Sequence, residues 1–176
     1  EVVMVRRAPR VTFTGVAGTP PPDGFLQASR AGEAARVRLV QDGVANAANV
    51  ADLFAGVGTF SFALAKGTRV TSVEGAGDQA EALIAARNAA RRSGIEVEVR
   101  DLERRALSVE ELSAFDAVIF DPPRVGAARQ VDNLAVSAVP RIVAVSCNPA
   151  TFARDAATLA DAGYHLQSVT PVEQFP

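Results

Sequence analysis

The sequence predicts an α/β domain in which helices flank a mostly parallel sheet. Short runs rich in β-branched residues alternate with Ala-rich stretches at helical spacing, which is typical of strands that are each followed by a helix. A length of 176 residues with 48% apolar residues is enough for one core of this kind. Disordered, collagen-like and low-complexity classes are therefore excluded.

The first part of the chain differs from the rest. A short alternating run, VTFTGV, is followed by TPPPDG, whose three consecutive prolines cannot enter a helix or a central strand. We therefore expect residues 1–24 to lead in from an upstream domain and residues 25–176 to form the α/β domain.

The elements of that domain follow in order along the chain. Strands are predicted at 48–54, 69–74, 95–101, 115–121 and 141–147, with one more at 163–173 after a Gly that ends the last helix. The helices between them include 59–66, 78–93, 126–138 and 151–162, where Ala, the best helix former, is abundant.

Charge and cysteine content exclude several classes of protein. Eighteen Lys and Arg face 20 Asp and Glu, so there is no general excess of positive charge to hold a polyanion. The single cysteine, Cys147, cannot form an internal disulfide or supply a zinc or iron–sulfur site, so we predict no metal. No stretch approaches the roughly 18 apolar residues of a membrane span. These features predict a soluble, cytoplasmic domain without a membrane partner.

Reactive or polar residues stand near the carboxyl ends of the five main predicted strands. They are Asp52, Glu74, Asp101, Asp121 and Cys147, and successive members are 20–27 residues apart, about one strand–helix unit. In an open parallel sheet the carboxyl ends share one edge, and ligands bind above it. The spacing therefore predicts one ligand site along that edge.

A glycine turn follows the first of these strands. Gly56 and Gly58 permit a tight turn before a helix, and Glu74 at the end of the next strand can accept both hydroxyls of an adenosine ribose. This pair is shared by NAD and S-adenosylmethionine sites. Ser61 stands where the dinucleotide fingerprint needs its third glycine.

Two further segments carry candidate chemistry. Asp121 opens DPPRVGA, in which two prolines predict a stiff loop and Arg124 is able to contact phosphate. Cys147 lies in VSCNPA, with Thr151 predicted to cap the following helix. A helix amino terminus favours a nearby thiolate, which suits a nucleophile.

Together, DLFAGVGTF, DPPRVGA, SCNPATFARD and the earlier GFLQAS resemble the S-adenosylmethionine-dependent RNA 5-methyluridine methyltransferases, from about Gly24 to Pro176. The resemblance implies a Rossmann-like class I methyltransferase fold with a doubly wound sheet. It implies that Cys147 is the nucleophile and that Pro122 and Arg124 contact the RNA substrate. The implied cofactor-binding residues are Gln27, Phe54, Gly56, Gly58, Thr59, Glu74, Asp101 and Asp121, with Thr59 standing where many relatives carry Asn.

The resemblance also implies a mechanism and two missing parts. The thiolate adds to carbon 6 of a uracil in ribosomal or transfer RNA, which makes carbon 5 nucleophilic toward the methyl group. Relatives carry the proton-abstracting Glu after a PheProHisThr-like stretch and add a final strand, whereas this sequence stops at Phe175-Pro176. We therefore expect the chain as given not to complete turnover.

Other classes remain as alternatives. A nicotinamide-dependent dehydrogenase shares the glycine turn and Glu74, although Ser61 and the AspProProArg segment disfavour it. A non-catalytic cofactor-fold module that binds RNA or a protein is a second alternative, and an Asn-Pro-Pro-Tyr-type amine methyltransferase is the nearest rival within methyltransferases. The residues do not predict an oligomeric state.

Overall fold

The structure, a computed structural model, describes residues 11–13, 15–21, 29–64 and 67–173. Within them, two short antiparallel strands, β1 (Val11–Phe13) and β2 (Val16–Gly18), precede the main unit. That unit consists of α1 (Arg30–Gly43), β3 (Asn49–Leu53), α2 (Thr59–Leu64), β4 (Arg69–Glu74), α3 (Gly77–Ala89), β5 (Ile95–Val99), α4 (Val109–Leu112), β6 (Ala117–Phe120), α5 (Ala128–Ala135), β7 (Ile142–Ala144) and α6 (Pro149–Asp161).

The sheet has five strands in the order β5-β4-β3-β6-β7, and every neighbouring pair is parallel. The central strand, β3, pairs Leu53 with Val73 on one side and with Phe120 on the other. The predicted parallel α/β fold is confirmed. All five main strands occur within their predicted ranges, and β4 matches its range at both ends.

Helices cover both faces of the sheet because successive strand residues point to opposite faces. Val50 belongs to a cluster with residues of α1, α2 and α3, whereas Ala51 and Leu53 belong to a second cluster with residues of α4, α5 and α6. The doubly wound arrangement therefore follows from the two apolar faces of the central strands.

The helix α1 is absent from the predicted set, and local signals account for it. Ser29 caps it by accepting a hydrogen bond from the Gly32 N–H at 3.1 Å, and Val37 and Val40 are buried on one face. A serine N-cap followed by apolar residues three positions apart indicates a helix, although no helix is predicted for residues 30–43.

The strand predicted at 163–173 is wrong. Gly163, with φ +99°, follows the last helix as expected, but residues 164–173 form no strand and are mostly exposed. No backbone hydrogen bond joins this segment to a strand of the sheet. An apolar pattern such as Leu166 and Val169 forms a strand only where a partner strand supplies the hydrogen bonds.

Two predictions at the amino-terminal side lie partly or wholly outside the described residues. Gln27 is one of them, and the boundary between 1–24 and 25–176 stays a prediction. None of the helices that the structure describes is long and apolar enough to cross a membrane.

Candidate functional site

The loops that follow the strands meet at the carboxyl edge of the sheet. In each pair of neighbouring strands, the first residues after one strand donate a backbone hydrogen bond to a carbonyl near the end of the other. The loops that follow the strands therefore start side by side. These bonds are Ala55 N–H to Val73 O at 3.1 Å, Asp121 N–H to Leu53 O at 3.3 Å, Val145 N–H to Phe120 O at 2.9 Å and Arg100 N–H to Glu74 O at 2.9 Å.

The glycine turn, residues 54–58, leaves β3 with three left-handed residues. Phe54, Gly56 and Gly58 have φ values of 59°, 58° and 92°. A Cβ at Gly58 would lie 3.0 Å from both Leu83 and Phe62, so packing as well as φ requires glycine there. Phe54 is a non-glycine residue in a strained conformation, of a kind that clusters at functional sites. Thr59 begins α2 directly after the turn.

Glu74 fastens this turn to the end of β4. Its Oε2 accepts a hydrogen bond from the Gly56 N–H at 2.7 Å, and its Oε1 accepts one from the Ala76 N–H at 2.7 Å. Each carboxylate oxygen has a second lone pair, so the group retains capacity for a ligand's hydroxyls. Glu74 therefore has a structural role that its place in the sequence did not reveal.

Asp101, in the loop after β5, lies beside the loop that follows β4. A Cβ at Gly75 would come within 3.2 Å of the Asp101 Cα, which shows how closely the two loops approach. The exposed Asp101 side chain accepts hydrogen bonds from the N–H groups of Glu103 and Arg104, at 3.0 and 3.1 Å. The acid is thus held in place at the edge while remaining accessible.

A buried polar group, Asp52, lies under the glycine turn. Ser61, the residue that departs from the dinucleotide fingerprint, donates to Asp52 Oδ2 at 2.5 Å and lies 2.8 Å from the Ser72 hydroxyl. Asp52 is fully buried, and its Oδ1 has no hydrogen-bond partner among the residues that the structure describes. Burial raises the pKa of Asp52 to about 7, and the charges of Asp121 and Glu74 add to this rise, while the Ser61 hydrogen bond lowers it.

This pKa predicts a stability that falls as pH rises. The folded state holds the Asp52 proton more tightly than the unfolded chain, so the contribution is complete below pH 4 and is lost as pH rises to about 7. We expect the unfolding free energy, measured by urea denaturation between pH 4 and 8, to fall by up to about 4 kcal/mol from this group. Asp52→Asn should flatten the curve, and parallel curves for the two proteins would contradict the assignment.

Asp121 and Arg36 are two charged side chains that are far apart in the sequence and that the fold brings close enough to interact electrostatically. Burial raises the pKa of Asp121 to about 6, and the Arg36 guanidinium opposes that rise. Arg36 projects from α1, and burial lowers its pKa. Its Nη2 is buried and has no hydrogen-bond partner in the described part of the chain. Nothing in the sequence links Arg36 to a site 85 positions away.

Cys147 is exposed in the loop between β7 and α6. The turn around it is closed by its two neighbours, because the Asn148 N–H donates to Ser146 Oγ and the Ser146 hydroxyl donates to the Asn148 carbonyl, both at 3.1 Å. The cap of α6 is Asn148, whose Oδ1 accepts from the Ala150 N–H at 3.0 Å. The prediction that Thr151 caps this helix is wrong, since Pro149 already occupies the first helical turn.

Side chains of α6 hold the proline loop, residues 121–127, by its backbone. The Arg124 carbonyl accepts from Asn148 Nδ2 at 3.0 Å and from the Thr151 hydroxyl at 3.3 Å. Further along the loop, Arg154 Nη2 donates to the Val125 carbonyl at 3.3 Å, and the buried Asp155 accepts from the Ala127 N–H at 3.1 Å. We call these four side chains, Asn148, Thr151, Arg154 and Asp155, the α6 clamp.

The structure therefore brings most of the predicted site residues to one edge. Pro122 is buried and Arg124 is exposed within the proline loop, next to the turn that carries Cys147. Among the residues that the structure describes, no three His, Cys, Asp or Glu side chains cluster in a way that could hold a metal ion.

This architecture defines the class of protein. A parallel sheet with helices on both faces, a glycine turn after its central strand and an acid at the end of the next strand form a Rossmann-like fold of the kind found in methyltransferases. A solved structure of the Pyrococcus abyssi tRNA (uracil-54, C5)-methyltransferase, in complex with S-adenosyl-L-homocysteine, superposes with a TM-score of 0.76 and 34% identity. The match covers 86% of this chain and 38% of that one.

The particular family follows from sequence. A family model described as tRNA (Uracil-5-)-methyltransferase matches residues 37–176, and the chain belongs to this family. An uncharacterized RNA methyltransferase of Rhizobium meliloti is 49% identical over 99% of this chain. The 23S rRNA (uracil(1939)-C(5))-methyltransferase RlmD of Chromohalobacter salexigens is 42% identical over 72% of it. The chain spans 42% of the Rhizobium protein and 26% of the Chromohalobacter protein in these matches.

Proposed function

We propose that the chain is the catalytic part of an RNA uracil-C5 methyltransferase that uses S-adenosylmethionine and a covalent bond between Cys147 and the target uracil. The observation that carries the proposal is the placement of the exposed Cys147 turn. It is bonded directly to the proline loop, at the same sheet edge as the glycine turn. In this proposal residues 25–176 are the methyltransferase domain and residues 1–24 lead into it.

The residues at the edge fit the chemistry of S-adenosylmethionine, which supplies an electrophilic methyl group. Glu74 keeps lone pairs for the ribose hydroxyls, and Asp101 stands accessible beside it. The methionine end of the cofactor is zwitterionic, and the edge offers both an acid, Asp121, and a base, Arg36, whose buried Nη2 has no partner among the described residues. Solved proteins of this fold, including the Pyrococcus enzyme, contain the product S-adenosyl-L-homocysteine. Gln27, Phe54, Gly56, Gly58 and Thr59 complete the proposed contacts.

The role of Cys147 follows from the reactivity of uracil. Carbon 5 is a weak nucleophile, and addition of the thiolate to carbon 6 forms a C–S bond and gives carbon 5 enolate character. Carbon 5 would then take the methyl group of the sulfonium, and the electron pair of the broken S–CH₃ bond would stay on the departing S-adenosylhomocysteine. The proton on carbon 5 leaves to a base, and the electrons of the C–H bond expel the thiolate. Cys147 is thereby regenerated, and the product is 5-methyluracil.

The proposed substrate is a structured RNA with an uridine that can leave its stack, ribosomal or transfer. Extrusion costs a few kcal/mol and is easiest in loops. The exposed Arg124 and the adjoining Pro122 border the proposed base site. Since the net charge is −2, most of the grip on the phosphates would come from other parts of the full-length protein. The cytoplasmic location stays a prediction.

The test uses the full-length protein with RNA transcripts that contain 5-fluorouridine. A base removes a proton from carbon 5 but does not remove fluorine as F⁺. The proposed reaction therefore stops at the covalent RNA–protein adduct. We expect an RNA–protein adduct that survives denaturing electrophoresis, forms only with S-adenosylmethionine present and is traced to Cys147 by mass spectrometry. A protein that methylates unmodified RNA but forms no adduct would refute the covalent mechanism.

The dehydrogenase alternative is separated by ligand binding. S-Adenosyl-L-homocysteine at about 100 times its dissociation constant should stabilise the folded protein by about 2.7 kcal/mol, whereas NADH should leave the melting temperature unchanged. Stabilisation by NADH alone would favour the alternative.

A further inference from the structure

We propose that Asn148 is a positioning residue that holds the proline loop at a set distance from Cys147, and the proposal rests on the function proposed above. Asn148 directly follows Cys147, and its side-chain amide donates to the Arg124 carbonyl at 3.0 Å. The bond joins the loop that presents the thiol to the loop that carries Arg124 and Asp121. Asn148 thus connects the two walls of the proposed uracil site from the position next to the thiol.

The choice of Asn over other capping residues supports this role. A helix cap needs only an acceptor, and Asp or Ser supply one about as well as Asn. The Asn148 Oδ1 serves as that acceptor for the Ala150 N–H. What Asn alone adds is the Nδ2 donor, and this donor is the atom that reaches the Arg124 carbonyl. The capping bond and the loop bond together leave one orientation of the amide.

The rest of the α6 clamp makes the contact specific. Thr151 donates to the same Arg124 carbonyl, and Asp155 accepts from Ala127. Gly126 has φ +81°, which residues with side chains rarely adopt, and a Cβ there would crowd Arg154 Nη2 and lie 2.8 Å from Asp155 Oδ2 and 3.1 Å from Thr151 Cβ. The loop backbone therefore contacts one face of α6 and its cap, since Thr151 is three positions after Asn148, and Arg154 and Asp155 are three and four positions after Thr151.

The catalytic consequence is geometric. Attack on carbon 6 requires the thiol sulfur to approach the ring at the correct distance and angle, and a misplacement of 1 Å can slow a reaction about a hundredfold. Without the Asn148 donor, the Arg124 carbonyl keeps only its bond from Thr151, so the distance between the Cys147 turn and the proline loop is less tightly fixed. The proposed cofactor residues after β3 and β4 stay in place, and so does Asp121, whose N–H donates to the Leu53 carbonyl. The rate of thiol addition to the uracil should therefore fall, and the affinity for the cofactor should stay the same.

The experiment compares Asn148→Asp and Asn148→Ser with the wild-type full-length protein. Both variants keep a capping acceptor and lose the amide donor. We expect unchanged melting temperature and S-adenosyl-L-homocysteine affinity, with the rate constant for adduct formation on 5-fluorouridine RNA reduced at least about tenfold at saturating RNA. Thr151→Val, which leaves the cap intact, should slow the same step about threefold to tenfold. Its effect should be less than additive with Asn148→Ser, since both act on one carbonyl.

The possible results distinguish a failure of the positioning role of Asn148 from a failure of the proposed methyltransferase function. If the wild-type protein forms no adduct, the proposed function fails and this inference fails with it. If the wild type reacts and the folded Asn148 variants react equally fast, the positioning role alone is overturned. Should the Asn148 variants not fold, Thr151→Val decides, and an unchanged rate there would also overturn it.

Discussion

Replacement of Cys147 by Ala is expected to abolish methyl transfer to RNA while leaving the fold and cofactor binding intact. The side chain is exposed, and the turn that carries it is closed by Ser146 and Asn148, not by the thiol. Its loss should therefore leave the turn unchanged. Removal of a covalent nucleophile costs roughly a thousandfold or more in rate. Single-turnover methylation with radiolabelled S-adenosylmethionine measures the effect.

The control and the contrary outcome for Cys147→Ala are both clear. Calorimetric titration with S-adenosyl-L-homocysteine should give the wild-type dissociation constant, which shows that the variant is folded and that its cofactor site is intact. Cys147→Ser keeps the shape but offers a far weaker nucleophile, so it should be nearly as inactive. Methylation by the Ala variant at more than a tenth of the wild-type rate would rule out Cys147 as the nucleophile.

Glu74→Gln is expected to lower both the unfolding free energy and the affinity for S-adenosyl-L-homocysteine, although Gln matches Glu closely in shape. Both carboxylate oxygens accept backbone N–H groups, one from Gly56 and one from Ala76. A Gln side chain has one acceptor and one donor, so one N–H would face an NH₂ group and lose its partner. Leaving a buried donor unpaired costs about 1–3 kcal/mol of unfolding free energy, and because these two N–H groups are only partly buried we expect the lower end of that range. The displaced glycine turn should also weaken S-adenosyl-L-homocysteine binding about tenfold or more.

A matched control for this variant lies nearby. Glu81 is an exposed acid on α3, and Glu81→Gln changes the net charge by the same amount without touching the turn. Urea denaturation should give Glu81→Gln the unfolding free energy of the wild type, and calorimetric titration should give it the same S-adenosyl-L-homocysteine affinity. Both values should be lower for Glu74→Gln. Equal stability and affinity for the two variants would show that the turn does not need the Glu74 carboxylate.

The fold and much of the candidate edge could be predicted because their signals are local. The strand β6 is a short apolar run, AVIF, that is buried along its whole length, and β4, RVTSVE, is rich in β-branched residues. Regular spacing then places Glu74, Asp101, Asp121 and Cys147 at one edge of a parallel sheet. The segment 163–173 shows the limit of such reasoning, because a stretch with apolar residues forms a strand only where a partner strand satisfies its backbone hydrogen bonds.

The amino-acid sequence by itself determined the parallel sheet, the positions of the acids and the thiol, and the family resemblance, since all of these depend on periodicity and on residues close in the chain. Only the tertiary structure decided which groups meet across that edge. Arg36 reaches the surroundings of Asp121, Glu74 fastens the turn at Gly56, and the α6 clamp holds the proline loop beside Cys147. The physical reason is that hydrogen bonds and burial depend on distance in space, and residues 18 to 85 positions apart become neighbours only when the sheet is assembled.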